Sequence, residues 1–448
     1  MHSKKIIFLF VLFFAVVSTM FFADGNNNVV EVRVPQTVNQ SEYEGVYYYP
    51  DSVSQNQKKD IGSKLFHTEG NLEIADTFLN SDSFFIGGNG DVITRQNLLP
   101  IMTFKDVFDK YTAGSTIVFS DYKQGIKDIL NGVVELSAVS DIQAYTGIVF
   151  NNITLGAFID SSVDSSLEIP SWPFEIIIDG NMIGKTYPTY QSTDTVLDAS
   201  VSFGLLGGIK GDNYAITIGV GPYGALAYMD AYRHFEFESS DTVSGTVVID
   251  STIYSTLNLG SFNFDSLKDI ATSGGWKADV SFVYGEEYPL FGVSVKDFAF
   301  TDSKINYYSD FDVNGSFYYD ISSEPTYTID YTKKLTWNKT EKTYRVKPTY
   351  AGFFNLKIAD NIFIKAHGRY KEIAGFSYGG SIYTFLGDVV GLLFDLTADS
   401  KGFIYYTGGV GLHTGFGKLD LTVGVGSKGF DFNRITSPKV GITFSGNL

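Results

Sequence analysis

The chain has 448 residues, 16 % of them aromatic, with 46 glycines, no cysteine and a formal charge of −17. So many aromatic side chains exclude a disordered acidic chain, because they offer ample burial. The missing cysteine excludes disulfides, thiol catalysis and thiolate metal sites, and the net charge argues against nucleic acid or an anionic membrane surface as a partner.

The chain opens on Lys4 and Lys5, then an almost unbroken apolar run from Ile6 to Phe22, then Ala23 before Asp24, Gly25 and Asn26. This charged, apolar, small-residue order predicts a signal peptide over residues 1–23 and hence export. Phe21 is large for its place before the cut, so an uncleaved N-terminal anchor is the alternative. No later run approaches the roughly 18 apolar residues of a membrane helix. An integral membrane protein of this sequence must therefore cross with strands.

Residues 24–113 differ in character from the rest. Val29, Val30, Val32 and Val34 suggest one short strand, and a polar stretch runs from Gln36 to Ser63. Asn97 to Tyr111 has helical spacing, with Leu98, Ile101, Val107 and Phe108 on one face. This part is expected to be irregular, serving as a plug or a periplasmic segment.

From residue 114 to the end, two-residue alternation takes over. In Lys418–Gly426, Leu419, Leu421, Val423 and Val425 take one face and Lys418, Asp420, Thr422 and Gly424 the other. Residues 361–371 repeat this, with Ile362, Ile364, Ala366 and Tyr370 against Lys365, His367, Arg369 and Lys371; only Phe363 interrupts the polar row. Strands are predicted at 195–209, 213–230, 276–285, 289–300, 343–358, 361–371, 375–386, 389–398, 402–412, 416–426 and 437–444. Short helices are predicted at Gln124–Asn131 and Phe264–Ala271. Several strands reach the ten or so residues that a tilted bilayer crossing demands, and short turns join them.

The predicted fold is all-β: an antiparallel up-and-down transmembrane barrel of about 14 strands, within roughly 12 to 16, preceded by the irregular segment. Tyr344, Tyr350, Tyr370, Tyr378, Phe403 and Tyr406 lie near strand ends, where an interfacial girdle is expected. A soluble exported sheet protein is the competing reading, since alternation also describes a sheet half-buried in water.

One hairpin carries a family resemblance. Gly275-Trp276-Lys277-Ala278-Asp279-Val280-Ser281-Phe282-Val283-Tyr284, followed by Leu290-Phe291-Gly292-Val293-Ser294-Val295-Lys296-Asp297-Phe298, resembles a hairpin of long-chain fatty acid transporter-like outer-membrane barrels. The resemblance implies a barrel of about 14 strands with an N-terminal plug. The end of the chain departs from the aromatic terminus of many such barrels, since Ser445, Gly446, Asn447 and Leu448 follow Phe444.

Charge supplies the candidate site. Between Asp330 and Lys371 stand ten basic against three acidic residues, a local excess of +7. Alternation places Arg345, Lys347 and Lys357 on one polar face and Lys365, His367, Arg369 and Lys371 on the next. If the apolar faces meet lipid, both rows line the lumen, as anion-attracting walls, as partners of an acidic plug, or as solvated charges paired with neighbouring acids.

No pattern points to catalysis. The spacings Gly219-Val220-Gly221-Pro222-Tyr223-Gly224 and Gly424-Val425-Gly426-Ser427-Lys428-Gly429 fall in strand or turn sequence with no helix to receive a phosphate. His67, His234, His367 and His413 lack metal-ligand spacing, and no nucleophile elbow is present. The chain is therefore expected to be an outer-membrane porin or transporter for a small solute, without cofactor, metal or enzymatic activity. Its partners are the lipid bilayer and that solute. A structural envelope barrel and a soluble exported β protein binding a surface partner or polysaccharide are the alternatives.

Overall fold

A sheet in lipid has no water to satisfy its edges, so its backbone groups must pair until the sheet meets itself. The computed structural model describes residues 65–66, 71–97, 133–172, 187–239, 242–259, 267–285, 288–320, 326–331, 335–387, 389–414, 416–430 and 435–447, and within them the sheet does close. Its strands are β1 (Phe84–Gln96), β2 (Val133–Phe150), β3 (Ile153–Pro170), β4 (Tyr190–Lys210), β5 (Tyr214–Ser239), β6 (Thr242–Ser255), β7 (Gly275–Tyr284), β8 (Phe291–Ala299) and β9 (Ser303–Asp320). They continue as β10 (Thr326–Tyr331), β11 (Asn338–Tyr344), β12 (Thr349–Ala359), β13 (Ile362–Lys371), β14 (Gly375–Leu386), β15 (Val390–Asp399), β16 (Phe403–Thr414), β17 (Gly417–Lys428) and β18 (Ile435–Asn447). Two short helices accompany them, α1 (Leu72–Leu79) and α2 (Leu267–Ser273).

The ring runs β1-β2-β3-β4-β5-β7-β8-β12-β13-β14-β15-β16-β17-β18 and back to β1, antiparallel at every step. This is a closed barrel of 14 strands. β6, β9, β10 and β11 stand outside the ring. β6 continues the ladder along the far half of β5, β9 pairs with β6, and β10 and β11 pair with β9. Together they make an extension beyond one rim.

Three chain paths break at the same level between ring and extension. Residues 256–274, containing α2, separate β6 from β7; residues 300–302 separate β8 from β9; residues 345–348 separate β11 from β12. The predicted single strand 343–358 is thus two strands with a gap. Tyr223 bridges the gap by donating its hydroxyl to the carbonyls of Thr301 (2.9 Å) and Tyr344 (3.3 Å).

One expectation needs correcting at the start of the chain. The first barrel strand is β1, Phe84–Gln96, inside the stretch expected to be irregular, so the barrel does not begin near residue 114. Residues 267–271 of the predicted 264–271 helix lie in α2, and 264–266 fall outside the described residues. The signal peptide, the Gln124–Asn131 helix and all of the Asn97–Tyr111 helix but Asn97 fall outside the described residues.

The outer and inner faces follow the alternation. On β17, Leu421 and Val423 are 49 % and 64 % exposed while Thr422 between them is 2 % exposed. An outward belt of Ile142, Leu155, Leu205, Val293, Phe394 and Val440 continues round the ring, an apolar surface suited to lipid. Tyr350, Tyr370 and Tyr378 cluster outside near the rim, with Tyr350 and Tyr370 directly opposite in register. Tyr344 and Phe403 of the predicted girdle are buried instead. No helix among the described residues is long and apolar enough to cross a membrane; the strands span it.

One rim carries short links, at residues 151–152, 211–213, 360–361 and 387–389. The extension and the longest connections lie at the other. Barrels of this kind place short turns on the periplasmic side and longer loops outside.

Two outcomes test this architecture. Leu421→Arg or Val423→Arg puts a cation on the lipid face at a cost of roughly 2–4 kcal/mol near the midplane. Both variants should lose the heat-modifiable band of the assembled barrel, which Val423→Leu should keep. In the extension, Asp250 and Asp312 face each other across the β6–β9 ladder. Lost hydration, and then Asp250 and Asp310, push the Asp312 carboxyl above its ordinary value. A raised carboxyl favours the protonated folded form, so the extension loses stability as pH rises through that value. Asp312→Asn should slow protease nicking of the extension at neutral pH and change little in acid.

Candidate functional site

The inside of the ring is occupied. Helix α1 (LEIADTFL) and its flanks touch walls on opposite sides, which places them within the lumen near the short-turn rim. Leu72, Ile74, Ala75 and Phe78 pack against Phe85, Tyr145, Phe158, Leu206, Val283 and Phe353, from strands around the ring. Leu72 lies where Gly292 leaves room; a Cβ there would come within 2.9 Å of it. Phe66 fills a second nest made by Phe363, Tyr383, Phe385 and Leu393. A Cβ at Gly391, Gly409 or Gly411 would meet the Phe66 ring at 2.8, 3.1 and 2.9 Å, so these glycines form its socket. Phe363, the apolar interruption in an otherwise polar row, serves this nest.

Polar contacts fix the plug on several sides. Lys418 on β17 reaches Glu73 at 2.6 Å and Asp76 at 3.4 Å, and donates to the Leu65 carbonyl at 2.9 Å. Lys365 on β13 donates to the Phe66 carbonyl at 3.0 Å. Gln143 on β2 donates to Asn71 at 2.7 Å, and Thr77 bonds the Tyr145 hydroxyl at 2.8 Å. Lys210 on β4 holds the Ser81 carbonyl, and Asn447 on β18 donates to the Asn80 carbonyl at 3.2 Å. His413 pairs with Asp420 at 2.6 Å and lies 5.8 Å from the Phe66 ring.

Above the plug the lumen is crossed by a buried ion cluster of Lys277, Lys296, Arg369 and Lys371 with Asp141, Asp160, Asp279 and Asp297. Lys277 sits among Asp160 (2.8 Å), Asp279 (3.2 Å) and Asp297 (2.5 Å). Lys296 lies 3.5 Å from Asp141 and 3.7 Å from Asp160. Arg369 pairs with Asp141, and Lys371 donates to Ser162. Asp297 has a left-handed φ of 65°, a conformation that aspartate tolerates better than most residues. Its N–H donates to Asp279 at 2.6 Å, at a bulge between β7 and β8. The residues that carry the family resemblance, Lys277, Asp279, Lys296 and Asp297, are therefore those of the cluster.

The sequence-predicted basic residues separate into two groups. Lys365, His367, Arg369 and Lys371 share the lumen face of β13, each with a partner; that of His367 is Asp395, at 2.7 Å. Lys357 lies on the lumen face of β12 near the short-turn rim, 3.8 Å from Asp360. Arg345 and Lys347 belong to the break before β12, beside Asp302 and Glu372 at 3.5 and 3.1 Å. They do not join the row. Lys418, Lys277 and Lys296 were missed as site residues because each stands outside the basic run. Their buried position was nevertheless legible, since each is a charge on the inner face of an alternating strand.

Two cavities in the lumen, one lined by Leu72, Lys365, Asp395 and Lys439 and the other by Arg95, Arg369, Lys371 and Asp399, have volumes of about 30 and 20 Å³. Among the described residues no group of three or more His, Cys, Asp or Glu side chains is placed to hold a metal.

No protein-family profile and no curated protein sequence matches the chain. Among solved structures it is similar to the Ralstonia pickettii toluene transporter TbuX, at 7% identity and a TM-score of 0.40, covering 84% of this chain and 92% of that one. It is also similar to a deltaS2S3 mutant of the monoaromatic hydrocarbon channel TodX, at 7% identity and a TM-score of 0.41, covering 87% of this chain and 98% of that one. A Pseudomonas aeruginosa FadL homologue gives 8% identity and a TM-score of 0.35, with 87% and 97% covered. The closed ring itself, and not these likenesses, establishes the fold of this chain.

Removing one partner of a buried ion pair costs roughly 3–5 kcal/mol, because the other charge stays buried. Lys418→Met strands Glu73 and Asp76 in this way, and should release the plug while the ring persists. The natural chain has no cysteine, so Ala75→Cys supplies a clean reporter on the buried face of α1. Maleimide should label Ala75→Cys slowly in the otherwise natural chain and rapidly when Lys418→Met is added. Equal labelling rates would show that Lys418 does not hold the plug.

Proposed function

We propose that the chain is a gated outer-membrane channel for a small, mainly apolar solute, closed at rest by residues 65–66 and 71–82. The observation that carries this reading is the plug itself. It sits across the lumen near the short-turn rim, packed against strands around the ring and tied to them by Lys418, Lys365, Lys210 and Asn447. On this reading passage requires the plug to shift. The wall it would uncover is aromatic and aliphatic, with Phe85, Tyr145, Phe158, Phe353, Phe363 and Tyr383, which suits an apolar solute better than an ion.

On this reading the basic row of β13 acts as a brace. Lys365 holds the plug backbone, while His367, Arg369 and Lys371 hold acids or hydroxyls of the barrel wall. The charges face one another and are not presented to an ion stream. Replacing Lys365 by Gln should then raise conductance of both signs by loosening the plug, with no shift toward cation selectivity.

The test uses vesicles with a lipopolysaccharide outer leaflet and two fluorescent probes, apolar phenylnaphthylamine and charged anilinonaphthalene sulfonate. The natural chain should speed entry of the apolar probe over protein-free vesicles while giving little steady ionic conductance. Lys418→Met should speed it further. A barrel that assembles and yet leaves apolar entry at the protein-free rate, with and without Lys418→Met, is a structural envelope barrel.

A further inference from the structure

Lys277 of the ion cluster is fully buried. Its ammonium touches three carboxylates, Asp297 at 2.5 Å, Asp160 at 2.8 Å and Asp279 at 3.2 Å, and lies 5.7 Å from the centre of the Phe158 ring. Lys277 and Asp297 stand on adjacent strands, β7 and β8. Between these strands the ladder is interrupted beside them, since Ala278 pairs with Phe298 but Val280 with Val295. An amine, a carboxyl carbon and two further carboxyls thus meet where the wall lacks regular backbone pairing.

We propose that Lys277 and Asp297 condense after folding into a side-chain amide, an isopeptide bond that staples β7 to β8 across the bulge. Three observations carry it. The first is proximity. A carboxyl oxygen at 2.5 Å from Nζ holds the carbon bonded to it within reach of attack. The backbone of Asp297 is pinned as well, at a left-handed φ of 65° with its N–H donating to Asp279 at 2.6 Å.

The second observation is the state of the Asp297 carboxyl. It is 1 % exposed, and its Oδ2 is buried with no hydrogen-bond partner within the protein. A buried carboxyl oxygen left unmet is costly, because its lost hydration is not replaced. Condensation removes one oxygen of this carboxyl as water.

The third is a route for the protons. Asp160 and Asp279 both touch Nζ, and Asp279 also accepts the Asp297 N–H, so it borders both reactants. Away from water a charged pair is relieved by moving a proton from the cation to the anion. Asp160 takes one proton from the Lys277 ammonium, and the freed amine forms a C–N bond to Cγ of Asp297. Asp279 carries a second proton from that nitrogen to the departing oxygen. As its C–O bond breaks, this oxygen leaves as water with the proton that Asp160 held. Nothing is oxidised or reduced, and no co-reactant enters.

The cluster loses one cation and one anion in this step. Lys296, Arg369 and Lys371 remain with Asp141, Asp160 and Asp279. In a chain without cysteine the bond does what a disulfide does elsewhere, closing the hairpin between residues 277 and 297 covalently. The inference concerns the wall and stands apart from what the channel conducts.

Tryptic digestion of the assembled natural chain, unfolded only after extraction, gives the test. Trypsin cuts after Lys268, Lys296 and Lys304, whereas an amidated Lys277 is not a substrate. The expected product joins residues 269–296 to 297–304 and is lighter by one water than those two peptides together. Fragment ions should place the link at Lys277 and Asp297. Lys277→Arg keeps the cation but cannot form this amide, and should yield only separate peptides, cut after position 277. Asp279→Asn should accumulate the link more slowly. A free 278–296 peptide from the assembled natural chain, with no linked product, overturns the proposal and leaves an ion pair only. So does an equal yield of the link from chain kept unfolded throughout, which marks a product of handling. Should Lys277→Arg fail to assemble, the digest of the natural chain decides alone.

Discussion

Everything in this molecule depends on one seam. β1 pairs with β18 through Phe85↔Asn447 to Ile93↔Lys439, and with β2 on its other side. In lipid an unpaired ladder edge leaves polar backbone groups with no partner, and closure is what removes the edge. The outward apolar belt, the enclosed charges and the seat of the plug all presuppose that the ring is shut. A strand of 13 residues with three glycines performs the closure.

Closure inverts the usual distribution of residues. Large aliphatic side chains face outward, and the interior holds salt bridges such as Lys277–Asp160 and Lys418–Glu73. Charges taken from water are costly unless matched nearly one for one, and here they are met by partners on other strands or on the plug. The lumen is thereby filled and specified at once. A plug with Glu73 and Asp76 can sit only where Lys418 awaits it, and Phe66 only where β15 and β16 carry glycine.

Most of the ring was legible in the sequence because its physics is local. The period of two along β17 and β13 predicted which side chains face out, and the burial follows residue by residue. β1 escaped because Gly87, Gly88 and Gly90 leave its alternation without side chains to display it. The plug helix escaped because Glu73 and Asp76 resemble surface charges, and their partner Lys418 lies more than three hundred residues away. The break in 343–358 was invisible for a third reason. Tyr344 and Val346 turn inward to a cluster with Tyr223 and Ile305, a tertiary demand that alternation does not encode. The row on β13 was found, yet its meaning changed, since the basic run marked where cations gather and not which acids answer them.

The aligned breaks at 256–274, 300–302 and 345–348 have a mechanical consequence. Across them β5, with its neighbour β4, runs unbroken from ring to extension, while the three paths beside it jog. A load applied to the outer tip therefore enters the ring through one flank, with Tyr223 as a strut across the joint.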